Sequence, residues 1–184
     1  MKLFKNPVFA VALAFVVVIA STLINTNVKF GRKCRDITDQ FYGSTVSRSA
    51  PEVSIAEALE NICTDAESLS VVADSCGVDA EEVRNDVSDL RRSIQQEFFF
   101  GIRSSYADLR SSLTTLLGQL AQADLEAKSA ETVSQCSASI SDAQSAIAAS
   151  GYNDTVRAFL RRYDHFPTNV LATLAGVDYP ETFA

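Results

Sequence analysis

The side chains that could do chemistry are few and scattered. The one histidine, His165, lies between Asp164 and Phe166. With no Cys–His spacing of a zinc site around it, it reads as a surface residue near a helix end. The 23 Asp and Glu include no pair whose spacing demands acid–base work. Ser and Thr are abundant but form no nucleophile elbow, and none of the seven glycines sits in a phosphate-cradling pattern. Gly101 and Gly118 fall inside a helical stripe, where they predict close helix packing. Cys63 and Cys76 are thirteen residues apart on what reads as one helix, about 20 Å if continuous, and cannot bridge. Cys34 and Cys136 could pair only through tertiary contacts, and so sparse a set reads as buried or reduced thiols. No catalytic residue, no metal site and no cofactor is expected, and the chain does not read as an enzyme.

The element that must organise the rest is apolar. Residues 6 to 28 carry no charged side chain and are fenced by Lys5 and Lys29. The stretch from Pro7 to Ile24 spans about 27 Å as a helix, close to the hydrocarbon thickness of a bilayer. Pro7 suits a first helical turn, where its missing N–H has no partner in any case. A secretory signal peptide is the rival, with Lys2 and Lys5 as the basic start and Val18-Ile19-Ala20 as a small-residue cleavage site. The run stays apolar past that site through Leu23 and Ile24, which favours a retained anchor. A lipid bilayer contacted through residues 7–24 is the first partner expected.

Charge divides sharply along the chain. The first fifty residues hold seven Lys and Arg against two Asp, a net of +5. The remaining 134 hold nine against 21 Asp and Glu, a net of −12. So acidic a body has no basic face to neutralise phosphates, so nucleic acid is not an expected partner. It should also stand off an anionic bilayer. Lys29, Arg32, Lys33 and Arg35 come closely after the apolar run, whereas only Lys2, Lys5 and the α-amino group precede it. The positive-inside bias then puts the amino terminus outside and the large domain in the cytoplasm, with the basic collar against the inner leaflet.

Beyond the anchor the periodicity is helical. Ile55, Leu59, Ile62, Ala66, Leu69, Ala73 and Cys76 step alternately by four and three, a heptad seam. Ser54 with Glu57 reads as a capping box, Gly77 interrupts, and Asp79 with Glu82 offers a second box. A further seam runs Val83, Val87, Leu90, Ile94, Phe98, Ile102, Tyr106, Leu109, Leu113, Leu116 and Leu120, about 60 Å if unbroken. Val133, Cys136, Ile140, Ala143 and Ile147 make another stripe, continuing towards Phe159. Turns are expected at Ser47–Pro51 and Gln122–Ser129, and Lys29–Val46 carries only a loose stripe, over which the membrane helix either continues as one long rod or breaks at Gly31. No stretch alternates at period two. The predicted fold is all-α: a single amino-terminal transmembrane helix (1–28), then an elongated antiparallel bundle of three to four long helices over 29–184. Phe98-Phe99-Phe100 cannot all face one seam; extra core contact with two flanking helices is the expected reading, and an exposed member would instead be a docking point.

Near the carboxyl terminus stand Tyr152-Asn153-Asp154-Thr155-Val156-Arg157, then Phe166-Pro167-Thr168-Asn169-Val170-Leu171-Ala172, Gly176 and Phe183. This pattern resembles the LemA family, whose members end a long helix with Tyr-Asn-x-x-Val, followed by Phe-Pro, a short apolar turn and a terminal Phe. The anchor running into Leu23-Ile24-Asn25 is similar too. The middle departs from the family: its Arg-Asp-Leu-Ile-Pro-Asn-Leu motif survives only as Pro51-Glu52-Val53, and Ala148-Ala149-Ser150 stands where an Arg usually precedes the Tyr. The chain therefore resembles a divergent member.

The resemblance implies a single-pass membrane protein with a cytoplasmic helical bundle and no established catalytic residues. Some relatives are associated with membrane metalloproteases, and one branch with magnetosome membranes. Tyr152, Asn153, Val156, Phe166, Pro167, Asn169, Ala172, Gly176 and Phe183 are the signature positions, and their expected role is structural. Pro167 would stop the helix at Phe166, while Phe166, Leu171 and Phe183 fold back onto the bundle end. Asn153 would fix register across helices. The expected function is a non-enzymatic scaffold in the cell membrane, with a membrane protease or a second copy as partner. The alternatives are an extracytoplasmic ligand-binding sensor or an exported helical protein.

Overall fold

The structure, a computed structural model, describes residues 7–43, 53–166, 168–177 and 179–183. Every regular element among them is an α-helix: α1 (Pro7–Tyr42), α2 (Ile55–Ser75), α3 (Glu81–Gln95), α4 (Phe99–Leu120), α5 (Ala127–Ala149), α6 (Tyr152–Tyr163) and α7 (Thr168–Leu174). The expected turn at Ser47–Pro51 lies outside the described residues. The chain divides into two compact units, Met1–Thr38 with Tyr152–Thr182, and Asp39–Gly151 with Phe183–Ala184.

In the second unit α2 packs against α5, α3 and α4, and α3 packs against α4. The predicted stripe explains why α2 is central. Ile55, Leu59, Ile62, Ala66, Leu69 and Ala73 are all buried, and Ala56, Ala58, Cys63 and Val72 widen the buried arc beyond a seam. Side chains such as Leu59 and Ile62 contribute about 1.5–3 kcal/mol each by leaving water. The Ser54 hydroxyl accepts the Glu57 N–H at 3.1 Å, so the predicted cap opens α2. The turn expected at Gln122–Ser129 is observed at Ala121–Glu126, and Ala127–Ser129 already belong to α5.

Three expectations are corrected. The long seam over Val83–Leu120 is two helices, because α3 stops at a left-handed residue, Glu97 (φ 52°). The α5 stripe does not run on to Phe159, since Gly151 (φ 68°) separates α5 from α6. Together with Gly77 (φ 73°) after α2, these breaks give six helices after α1 among the described residues, in place of three to four long ones after the apolar helix. The second capping box is replaced: α3 starts after Ala80, and Asp79 Oδ1 accepts the Glu81 N–H at 2.9 Å. At Gly31, by contrast, α1 continues without interruption.

Candidate membrane-contacting segment and the signature residues

The apolar run of α1 is uncovered. Val11, Leu13, Phe15, Val16, Val17, Val18, Ile19 and Ile24 are between 41% and 69% exposed. Phe15 to Ile19 are consecutive, and at about 100° per residue five neighbours point to every side of the helix. No face is left over for water. Within this run the Thr22 hydroxyl donates to the Val18 carbonyl at 2.8 Å, which satisfies it without solvent. By length and composition α1 is the one helix among the described residues able to cross a membrane.

Past the run, the same unit places α6 and the chain after α7 against the basic turns of α1. Phe30 meets Tyr163 edge-on at 4.8 Å and Phe159 at 6.3 Å between ring centres. Lys33 Nζ donates to the Tyr163 hydroxyl and lies 4.7 Å from the centre of its ring. That cation, with Arg162, holds the Tyr163 phenol below its ordinary pKa. Tyr179 closes the group, its hydroxyl donating to the Tyr163 carbonyl at 3.2 Å and its ring 5.8 Å from Phe159. Lys33 of the predicted collar is thus engaged with protein aromatics.

The signature positions do not share one environment. Tyr152, Val156 and Ala172 are buried, and the Tyr152 hydroxyl donates to the Glu181 carbonyl at 3.0 Å. Asn153 and Asn169 are half-buried, and Asn169 Oδ1 accepts the Val170 N–H at 2.8 Å. Gly176 (φ 68°) ends α7, with its N–H donating to the Thr173 carbonyl at 3.1 Å and Val177 N–H to Ala172 at 3.0 Å. Phe183 is buried in the second unit, 5.3 Å from Phe41, 6.1 Å from Phe99 and stacked on Tyr106 at 5.6 Å. Phe166 does not fold back as expected: it is 79% exposed, and Pro167 lies outside the described residues. Leu171 is half-buried, and His165 is exposed.

The remaining polar chemistry belongs to the second unit. Arg91 Nε donates to Glu60 Oε2 at 3.1 Å, and its terminal nitrogens fork onto Glu67, one at 3.1 Å. These contacts, Glu67 first, hold the guanidinium charged above its ordinary range. Arg91, Arg84, Arg92 and Glu67 line an open groove of about 380 Å³, and each arginine there already meets a carboxylate. Behind it the buried Cys63 thiol is pushed up to about 12, by burial first and then by Glu60. Burial and the Asp65 carboxylate likewise raise Cys136. Both are poor nucleophiles, since the thiolate is the reactive form.

Two features had no readable signal. The ring cluster joins Phe41 to Phe99 (5.1 Å) and to Phe183 across long sequence separations. The break at Gln96–Phe98 contains neither Gly nor Pro. There Phe98 and Phe100, the splayed members of the aromatic triplet, are 54% and 66% exposed. A Cβ at Gly101 would sit 2.3 Å from the Phe98 ring, so glycine lets that ring lie across α4. A Cβ at Gly118 would meet nothing within 4 Å, so no close helix packing requires glycine there. Comparison with protein-family models, with curated proteins and with solved structures finds no match.

Proposed function

We propose that the chain is a non-enzymatic scaffold held in the cell membrane by the apolar run of α1. Its helices would form an antiparallel bundle in the cytoplasm and organise protein partners there, in the manner of LemA-like proteins. The single observation carrying the reading is the exposure of consecutive apolar side chains from Phe15 to Ile19. Leaving each in water costs on the order of 1.5–3 kcal/mol, so that surface calls for lipid. The basic residues Lys29, Arg32, Lys33 and Arg35 directly after the run favour the cytoplasmic side for the helices beyond it. The carboxyl-terminal pattern from Tyr152 to Phe183 supports LemA kinship, and a membrane protease or a second copy is the partner class it suggests.

Orientation is tested by labelling intact cells with a membrane-impermeant maleimide. Leu3→Cys and Asp124→Cys would each be placed in a chain otherwise lacking cysteine, with carbonate extraction of the same samples. The expected result is labelling at position 3 alone, with full-length protein in the membrane pellet. Labelling at position 124 would put the helices outside and turn the reading towards an extracytoplasmic sensor. Loss of the first residues from the mature protein would make it an exported one.

A further inference from the structure

The two units carry opposite charge. Met1–Thr38 with Tyr152–Thr182 holds nine Lys and Arg against five Asp and Glu, a net of +4. Asp39–Gly151 with Phe183–Ala184 holds seven against 18, a net of −11. The basic unit contains both the apolar run and α7.

α7 has one buried and one bare side. Ala172 is fully buried, while Val170 and Leu174, four residues apart and so on one face, are 47% and 67% exposed. Phe166, in the turn just before α7, is 79% exposed. Three large apolar side chains within nine residues are thus in solvent at the end of the chain where Arg161 and Arg162 are exposed as well. The end of α7 is tied to α1: Asn27 Nδ2 donates to the Ala175 carbonyl at 2.6 Å. Asn27 is three residues past Ile24, a rise of about 4.5 Å beyond the end of the apolar run. Between them lies a recess of about 310 Å³ lined by Leu23, Ile24, Val28 and Ala175. The carboxyl end of α7, one residue past Leu174, is therefore held beside α1 at the depth where headgroups would begin.

We propose that α7, with Phe166, is a second membrane-contacting element that lies in the interface of an anionic leaflet beside the α1 span. Phe166, Val170 and Leu174 enter the headgroup–acyl boundary, as the apolar face of an interfacial helix does, within about 5–10 Å of the surface. Beyond the span the unit keeps seven Lys and Arg against five Asp and Glu, a net of +2, and that surplus on the side of α7 selects anionic lipid. The inference rests on α1 spanning the bilayer and adds a second contact to it. It also makes the unit at the bilayer the basic one, while the acidic unit is the one an anionic surface repels.

The chain contains no tryptophan, so one introduced indole reports from one place. The full chain carrying Val170→Trp would be reconstituted into phosphatidylcholine vesicles containing phosphatidylglycerol, with part of the lipid brominated on its acyl chains. Val71→Trp, on an exposed position of α2 in the acidic unit, is the comparison. Quenching at position 170 at least about three-fold greater than at position 71 is expected, and it should fall when phosphatidylglycerol is omitted. Equal quenching at the two positions, in vesicles that float with the protein, would overturn the proposal while leaving the α1 span in place. Undiminished quenching in phosphatidylcholine alone would overturn the anionic assignment. A blue-shifted indole that escapes bromine and tracks protein density would assign the face to a second copy, also against the proposal. A chain that does not float with vesicles at all would remove the α1 reading and this one with it.

Discussion

The amino-terminal half of α1 and the whole of α2 draw on the same apolar side chains, and their surroundings are opposite. In α2 the large apolar residues recur at steps of three and four, with Glu57, Glu60, Thr64, Glu67 and Ser68 between them. One arc is buried and the other is hydrated. In α1 the run Phe15-Val16-Val17-Val18-Ile19 has no polar residue within it, and each of the five is at least 47% exposed. A stripe can be covered by neighbouring helices, as α5, α3 and α4 cover α2. A cylinder that is apolar all round needs a surrounding solvent of the same character. How the apolar residues are arranged, more than how many there are, separates a core helix from a candidate span.

The contrast breaks most directly by placing charge on the cylinder. Val16→Arg with Val18→Arg puts two guanidinium groups near the middle of the run. Each costs about 2.5–3.5 kcal/mol on insertion-derived scales. The double variant is expected to leave the carbonate-resistant membrane fraction, with the helical unfolding transition of the second unit unchanged. Retention in the membrane would sink the claim that this run is what holds the chain there.

A smaller effect separates the two environments by packing. Leu59 is fully buried, and Leu59→Ala should lower stability by about 2–5 kcal/mol through lost transfer energy and the cavity left behind. Val17→Ala, a loss of methyl groups on an exposed site, should change the unfolding of the second unit by less than about 0.5 kcal/mol. Chemical denaturation followed by circular dichroism in detergent reads both. Equal losses would mean that Val17 is packed against protein, and the comparison would fail.

Legibility in the sequence divides in the same way, between local and distant causes. The Ser54 cap, the buried stripe of α2 and its end at Gly77 are written in residues within a few positions of each other. The break between α3 and α4 was hidden because Phe98 keeps the seam's spacing while standing in solvent, and because a glutamate occupies the turning position. The ring cluster around Phe183 was hidden for the other reason. Phe41, Phe99 and Tyr106 lie far from it in sequence, so only the fold brings them together. At the signature, a common motif did not imply a common environment: Phe166 is in solvent and Phe183 is buried. The apolar run is the part of the candidate site that could be read directly, since composition alone defines it.

The finest test compares two helix ends inside the second unit. After α2, Val78 N–H donates to the Ala73 carbonyl at 2.9 Å and Gly77 N–H to Asp74 at 3.2 Å. After α3, Phe98 N–H donates to Ser93 at 3.0 Å and Glu97 N–H to Ile94 at 3.1 Å. The hydrogen-bond pattern is the same Schellman closure, and both turning residues are left-handed, at φ 73° and 52°. Glycine takes that conformation freely, whereas a side chain there costs about 1–2 kcal/mol. Glu97→Gly should therefore stabilise the unit by about 1 kcal/mol, the strain relieved less the extra backbone entropy glycine loses on folding. It has a second readout. The Glu97 carboxylate adds to burial in raising the Tyr42 phenol, so removing it should move that tyrosine's ultraviolet titration down. Greater stability with a lower Tyr42 titration would show the break to be a strained closure that persists although glycine would serve it better. A loss of stability would mean that Glu97 makes contacts worth more than the strain, and that the two helix ends are alike only in their hydrogen bonds.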